Sequence, residues 1–290
     1  MKLINSNAEI YIPDGENTAN ALKRTTVLCI AAHQDDIEIM AYSHIAKCFG
    51  SRVDWFTGVV VTDGGGSPRT GIYENYTDEE MKNVRIKEQK QAADTGRYSA
   101  QFLLGYPSVE VKNRSRISNS VTQEISDIIK QCSPEIILTH NLFDKHDTHV
   151  AVAIRVIEAL REINKSKSPE SPNMDCKVYS MEVWRGLDWL NDKSKEVFDT
   201  SGHPNIAASL LGVFDSQIAG GKRYDLASIG RRLANATFYA SHSVDNSNSV
   251  SYGIEITDFI MNTEMSYDDF INSHIDDFRN DVVERVRRFC

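Results

Sequence analysis

Between residues 25 and 163 the chain alternates apolar runs of strand length with segments of helical spacing, and that alternation admits few folds. The runs are TTVLCIAA (25–32), VDWFTGVVVTD (53–63), QFLLGY (101–106) and EIILTH (135–140). Continuous apolar runs of this length suit strands covered on both faces. Helical patterns lie between and after them, at 37–49 with Gly50 as the C-cap, at 77–96, at 115–132 and at 148–163. Thr77 and Glu80 have capping-box spacing, and Ser133-Pro134 stops the third helix. CKVYSMEVW (176–184) adds a further strand. Strands and helices in strict alternation predict an α/β fold, a mostly parallel sheet with helices on both faces.

Residues 1–24 read as an N-terminal arm, and 25–290 as a single domain whose last part, 185–290, faces the substrate. GGGSPRTG (64–71), KSKSPESPNM (165–174) and HSVDNSNSVSYG (242–253) have loop composition, and the second half of 214–240 looks helical. With 32 Lys and Arg against 41 Asp and Glu the net charge is −9, which disfavours a nucleic-acid partner. No stretch approaches the run of about 20 apolar residues that a membrane span needs. The N-terminus lacks the apolar core of a secretory signal, so a cytoplasmic protein is expected. The five cysteines form no CxxC pair, and Cys29 reads as a buried, inert thiol. Oligomeric state is left open, a homo-oligomer included.

Chemistry is expected beyond the carboxyl ends of the strands, where open parallel sheets bind ligands. The first strand ends in Ala32-His33-Gln34-Asp35-Asp36. The fourth runs into Asp144-Lys145-His146-Asp147-Thr148-His149. His33 and Asp36 are three residues apart, as are His146 and His149, so one turn of helix puts each pair on one side. One pair plus one histidine of the other makes a three-ligand zinc site with a position left for water. Water activated there is a usable nucleophile at neutral pH. Asp35 points elsewhere around the turn and is free to act as general base. The remaining histidine can polarise the carbonyl or stabilise an oxyanion. Either pair alone is a weak signal. Both together, at two strand ends of one sheet, are a strong one.

AAHQDDIEIM (31–40) resembles the AHPDDxE motif of the LmbE-like, or PIG-L, zinc-dependent N-acetylglucosaminyl deacetylases. DKHDTHVAV (144–152) resembles that family's D-x-HPDH motif, VRIKEQKQAADTG (84–96) its R-x-x-E helix, and FLLGYP (102–107) its Leu-Gly-hydrophobic-Pro segment. The resemblance implies a Rossmann-like three-layer α/β/α sandwich and a hydrolase that removes an N-acetyl group from an N-acetylglucosamine-type conjugate. It implies His33, Asp36 and His149 as ligands of Zn2+, with Fe2+ or another divalent ion an alternative. It implies Asp35 as base, His146 at the oxyanion and Arg85 on the substrate sugar. Gln34 stands where the family has Pro, Asp147-Thr148 where it has Pro-Asp, and Ser108 where an Asp is frequent.

Other residues carry weaker readings. Tyr252 is expected on the sugar-facing wall, Trp184 in the core, His44 on a helix face and His140 as a satisfied strand-end residue. Glu38 is read either as a helix-dipole residue or as a partner of His33, and Arg231-Arg232 as a solvated face. A catalytically weak sugar- or metabolite-binding protein on the same scaffold is the alternative, kept open by the altered second motif. A nucleotide-dependent enzyme is disfavoured because no Gly-rich fingerprint follows the first strand.

Overall fold

The structure is a computed structural model that describes residues 1–113, 120–165 and 176–290. The start of the helix expected at 115–132 and most of the loop expected at 165–174 lie outside the described residues.

Eight strands form one sheet: β1 (Glu9–Tyr11), β2 (Val27–Ala31), β3 (Phe56–Thr62), β4 (Ala100–Tyr106), β5 (Ile136–His140), β6 (Lys177–Met181), β7 (Glu196–Asp199) and β8 (Val250–Glu255). Their order is β1-β4-β3-β2-β5-β6-β8-β7. The five central strands, β4-β3-β2-β5-β6, are parallel, and β1 and β8 pair antiparallel to them. β7 pairs antiparallel to β8 at the far edge.

The strand alternation splits the core in two. In β2, Leu28 and Ile30 point into one apolar layer while Val27, Cys29 and Ala31 point into the other, the period of two that a pleated strand requires. The first layer packs the helices Ser120–Cys132 and Asp147–Lys165. The second packs Asp36–Met40, Tyr42–Phe49 and Pro204–Gly212. Helices thus cover both faces, and the three-layer α/β/α sandwich is present.

β2 is flanked by β3 on one side and β5 on the other, and the connection out of β2 runs over a different face from the one that leads into β5. That is a topological switch point, the place where an open sheet leaves a crevice at its carboxyl edge. His33 to Asp36 follow β2, and Asp144 to His149 follow β5, so the switch point brings both motifs to one crevice. Gly58 in β3 supports the arrangement: a Cβ there would sit 2.9 Å from Cδ1 of Ile37, so its absence lets the helix carrying Asp36 lie close on the sheet.

Several expectations change in detail. The helix expected at 37–49 is two helices broken at Ala41. The capping box forms as expected, with Thr77 Oγ1 accepting from Glu80 N and Glu80 accepting from Thr77 N. The loop expected at 242–253 ends in a buried strand, β8. The arm contributes β1 and a short helix, Thr18–Lys23. A long helix, Tyr267–Arg287, closes the chain. No helix among the described residues is long and apolar enough to cross a membrane.

Candidate active site

Asp36 opens the helix Asp36–Met40, and its carboxylate is the hub of the site. Oδ2 accepts the backbone N–H of His33 at 2.8 Å, which turns the carboxylate back over the end of β2. The same oxygen lies 3.2 Å from His33 Nδ1 and 3.3 Å from His149 Nε2, and the two ring nitrogens are 3.2 Å apart. Two imidazole nitrogens and one carboxylate oxygen therefore form a near-equilateral triangle. Ligands about 2.0–2.1 Å from a tetrahedral zinc are about 3.3 Å from one another, so the donor set fits such an ion in type and spacing.

The electrostatics agree. Burial alone would raise the Asp36 carboxyl, but His149 and His140 outweigh it and hold the group well below the usual carboxylate range. Burial pulls His149 down, yet Asp36 and hydrogen bonds to Asp144 and Asp36 push it up to about 10. The converging donors thus draw positive charge to themselves. Asp144 Oδ2 lies 3.4 Å from His149 Nδ1, which leaves Nε2 as the nitrogen facing Asp36 and His33.

Asp35 is held apart from its neighbour by backbone geometry. Its φ of 93° is in the left-handed region, a conformation that costs a non-glycine residue about 1–3 kcal/mol. The twist sends its carboxylate toward Arg85, whose Nη2 is 3.7 Å away. Burial pushes the Asp35 carboxyl well above its ordinary range, and Arg85 works against that rise. Arg85, on the helix Asp78–Gly96, also donates Nη2 to the Gln34 carbonyl, while its buried Nη1 has no partner. Gln34, in the Pro position, ties this turn to β3 by donating to the Thr62 carbonyl at 3.4 Å.

His33, Asp35, Asp36, Arg85 and His146 line a cavity of about 700 Å³. His146 packs edge-on to His33 at 4.9 Å between ring centroids and stacks on His149 at 4.5 Å. Burial, then His149 and His33, lowers its pKa. Its Nδ1 has no partner, and its backbone N–H is held by Asp144 Oδ1 at 3.1 Å. Ser108 lines the same cavity.

Residues 28–160 match the family described as PIG-L: GlcNAc-PI de-N-acetylase. That segment carries the PIG-L (LmbE-like) family match, and both motifs lie within it. The same fold is seen in solved structures. An N,N'-diacetylchitobiose deacetylase from Pyrococcus horikoshii superposes with a TM-score of 0.62 at 15% identity, over 83% of this chain and 86% of that one. The 4-carboxy-2-hydroxymuconate hydratase GalB from Pseudomonas putida KT2440 gives 0.61 at 17% identity, over 80% and 95%. The A40926 pseudoaglycone deacetylase Dbv21 gives 0.56 at 16% identity, over 80% and 97%. One of the three is a hydratase, so the likeness speaks for the fold, and the reaction must be argued from the site. No curated protein matches the chain.

Other expected residues are placed differently. Tyr252 is not on the cavity wall. It is buried in β8 and donates its hydroxyl to the Asn235 carbonyl at 2.7 Å. Trp184, read as core, is half-exposed and lines the cavity. Glu38 makes no bond to His33: its Oε1 accepts from Tyr98 at 2.8 Å and Gln89 at 2.9 Å, and burial raises its pKa to about 7. His140 is fully buried, accepts the Ala32 N–H at 2.8 Å and stacks on His149. Arg231 and Arg232 are not a solvated face. Arg232 is buried and donates to the carbonyls of Glu38 at 2.7 Å and Ile39 at 2.9 Å. Arg231 lines the cavity and donates to the carbonyls of Val183 and Trp184.

The residue most clearly missed is Asp144. It holds His149, His146 and, by accepting the Trp184 N–H at 3.0 Å, the cavity wall. Its signal was present as the first letter of the second motif.

Proposed function

We propose that the protein is a metal-dependent amidohydrolase that removes an N-acetyl group from an N-acetylglucosamine-type conjugate. The observation that carries the reading is the pairing of a three-donor triangle, His33 Nδ1, Asp36 Oδ2 and His149 Nε2, with a separate buried carboxylate, Asp35, beside a cavity that His33, Asp35 and Asp36 line. His33, Asp36 and His149 would hold Zn2+, or Fe2+ in its place. A cation bound there supplies Lewis acidity toward the acyl oxygen and lowers the pKa of water.

The chain's own residues supply the rest. Asp35 accepts a proton from the attacking water as its oxygen bonds to the amide carbon. It returns that proton to the nitrogen as the C–N bond breaks, leaving acetate and a free amine. Arg85 keeps Asp35 oriented, and its unpartnered Nη1 is a donor for the sugar. His146, which lines the cavity and packs on His33 and His149, donates a ring N–H to the developing oxyanion. Gln217, Tyr224 and Ser228 line the cavity from the C-terminal part, which we assign to substrate choice.

The test is an amine-release assay with zinc-reconstituted protein and methyl N-acetylglucosaminide. Amine should appear, stop on chelation and return with zinc. Saturable binding without amine would instead identify a sugar-binding protein on this scaffold.

A further inference from the structure

The helix Tyr267–Arg287 begins on the domain and leaves it. Ser266 and Asp269 form its capping box, and Phe270 is its one buried residue. From Ile275 to Cys290 every residue is exposed except Asp281, which is half-buried. That stretch is nonetheless apolar along one side. Ile275, Phe278, Val282, Val286 and Phe289 follow Ile271 at intervals of four, three, four, four and three, the spacing of a single helical stripe. The five are 41–89% exposed. Phe278 meets Trp189 edge-on, with 5.8 Å between ring centroids, and most of the stripe beyond it is open. Single exposed apolar residues are ordinary, but a contiguous apolar surface marks an interaction site. A helix in a protein also draws most of its stability from a packed face, which this stretch lacks.

Charge runs along the helix in one order. Residues 267–278 carry Asp268, Asp269, Asp276 and Asp277 with no Lys or Arg. Residues 279–290 carry Arg279, Arg285, Arg287 and Arg288 against Asp281 and Glu284. The helix dipole acts on the first and last turns, so it accounts for Asp268 and Asp269 but not for Asp276 and Asp277. Within the helix Asp276 pairs with Arg279 at 3.2 Å and Asp281 with Arg285 at 2.9 Å. Asp277, Arg287 and Arg288 have no ion pair among the described residues.

We propose that the stripe is an interface between two copies of this chain, packed antiparallel about a two-fold axis at Val282. In that register Ile275 packs on Phe289 of the partner subunit, Phe278 on the partner's Val286, and the two Val282 side chains meet on the axis. The order of charge sets the direction. Antiparallel copies lay the acidic half, with Asp276 and Asp277, along the basic half that holds Arg287 and Arg288 of the partner subunit, and the two-fold repeats the match. Parallel copies lay acid on acid and base on base. The face has fewer than the about 20–30 residues a side of a standard interface, so the dimer should dissociate on dilution. It is independent of the reaction proposed above, since none of these residues lines the cavity.

The experiment is sedimentation equilibrium of the full chain at rising concentration. The average mass should climb toward twice that of one chain. Val282→Glu with Val286→Glu, both exposed positions, should hold it at one chain with far-UV circular dichroism unchanged. Direction is read by cross-linking in a Cys290→Ser background, where the other four cysteines are buried. Val282→Cys sits on the axis and should form a disulfide-linked dimer on mild oxidation. Val286→Cys, one turn away, lies about 12 Å from its copy in the antiparallel pair, beyond the about 7 Å that a disulfide spans, and should not. A chain that stays monomeric, a dimer that survives the glutamate pair, or equal linking at 282 and 286 would overturn the proposal.

Discussion

The Asp144 carboxylate lies 3.4 Å from Nδ1 of His149 and so leaves Nε2 to face Asp36 and His33. A carboxylate behind a ligating imidazole fixes its tautomer and raises its basicity, and losing such support costs about 10–100-fold in metal affinity. Asp144→Asn keeps the shape and removes the charge. Competition against a chromogenic chelator should show zinc held that much more weakly. Unchanged affinity would show that Asp144 only positions backbone.

Asp35 and Asp36 are adjacent, yet with a φ of 93° at Asp35 one carboxylate faces Arg85 and the other His33 and His149, and the proposed roles of base and ligand rest on that separation. Asp35→Asn should retain zinc while kcat falls by about 10²–10⁴, the range for loss of a general base. Elemental analysis and amine release on the same preparation check both halves. A variant that loses metal as well would place Asp35 among the ligands.

Tyr252 tests whether the C-terminal segment is read correctly. Its hydroxyl is buried against the Asn235 carbonyl, away from the cavity lining. Tyr252→Phe should lower unfolding stability by about 1 kcal/mol, one buried hydrogen bond, without raising KM. A raised KM with unchanged stability would return Tyr252 to the substrate wall.

His44 gives the fold a pH dependence of its own. Burial, with a smaller push from Lys47, depresses its pKa from 6.5 to about 4. Below the unfolded value the denatured chain binds a proton that the folded chain refuses, so stability present above 6.5 is lost as pH falls toward 4. Between neutral pH and pH 5 this amounts to about 2 kcal/mol. Denaturant titrations at the two pH values should show His44→Gln less acid-sensitive than the parent by that amount. Equal sensitivity would contradict the assignment.

What was legible follows from the range of the signal. β2 to β6 and their helices were readable because apolar periodicity is local, and both motifs lie within ten residues of a strand end. The outer strands were not. β7 is short and exposed, and β8 carries Ser251 and Gly253 in a polar context that reads as loop. Taking 242–253 as loop put Tyr252 on the wall instead of in the sheet. Arg232 meets Glu38 and Ile39 from far along the chain, so nothing near it announces its burial.

The central claim is that one divalent ion, held by His33, Asp36 and His149, makes this chain a deacetylase. Titrating zinc into chelator-stripped protein while measuring acetate release from a methyl N-acetylglucosaminide tests it most directly. No release is expected without metal, and the rate should rise linearly and break at one zinc per chain. Equal release by stripped protein, or none with one zinc bound, would contradict it.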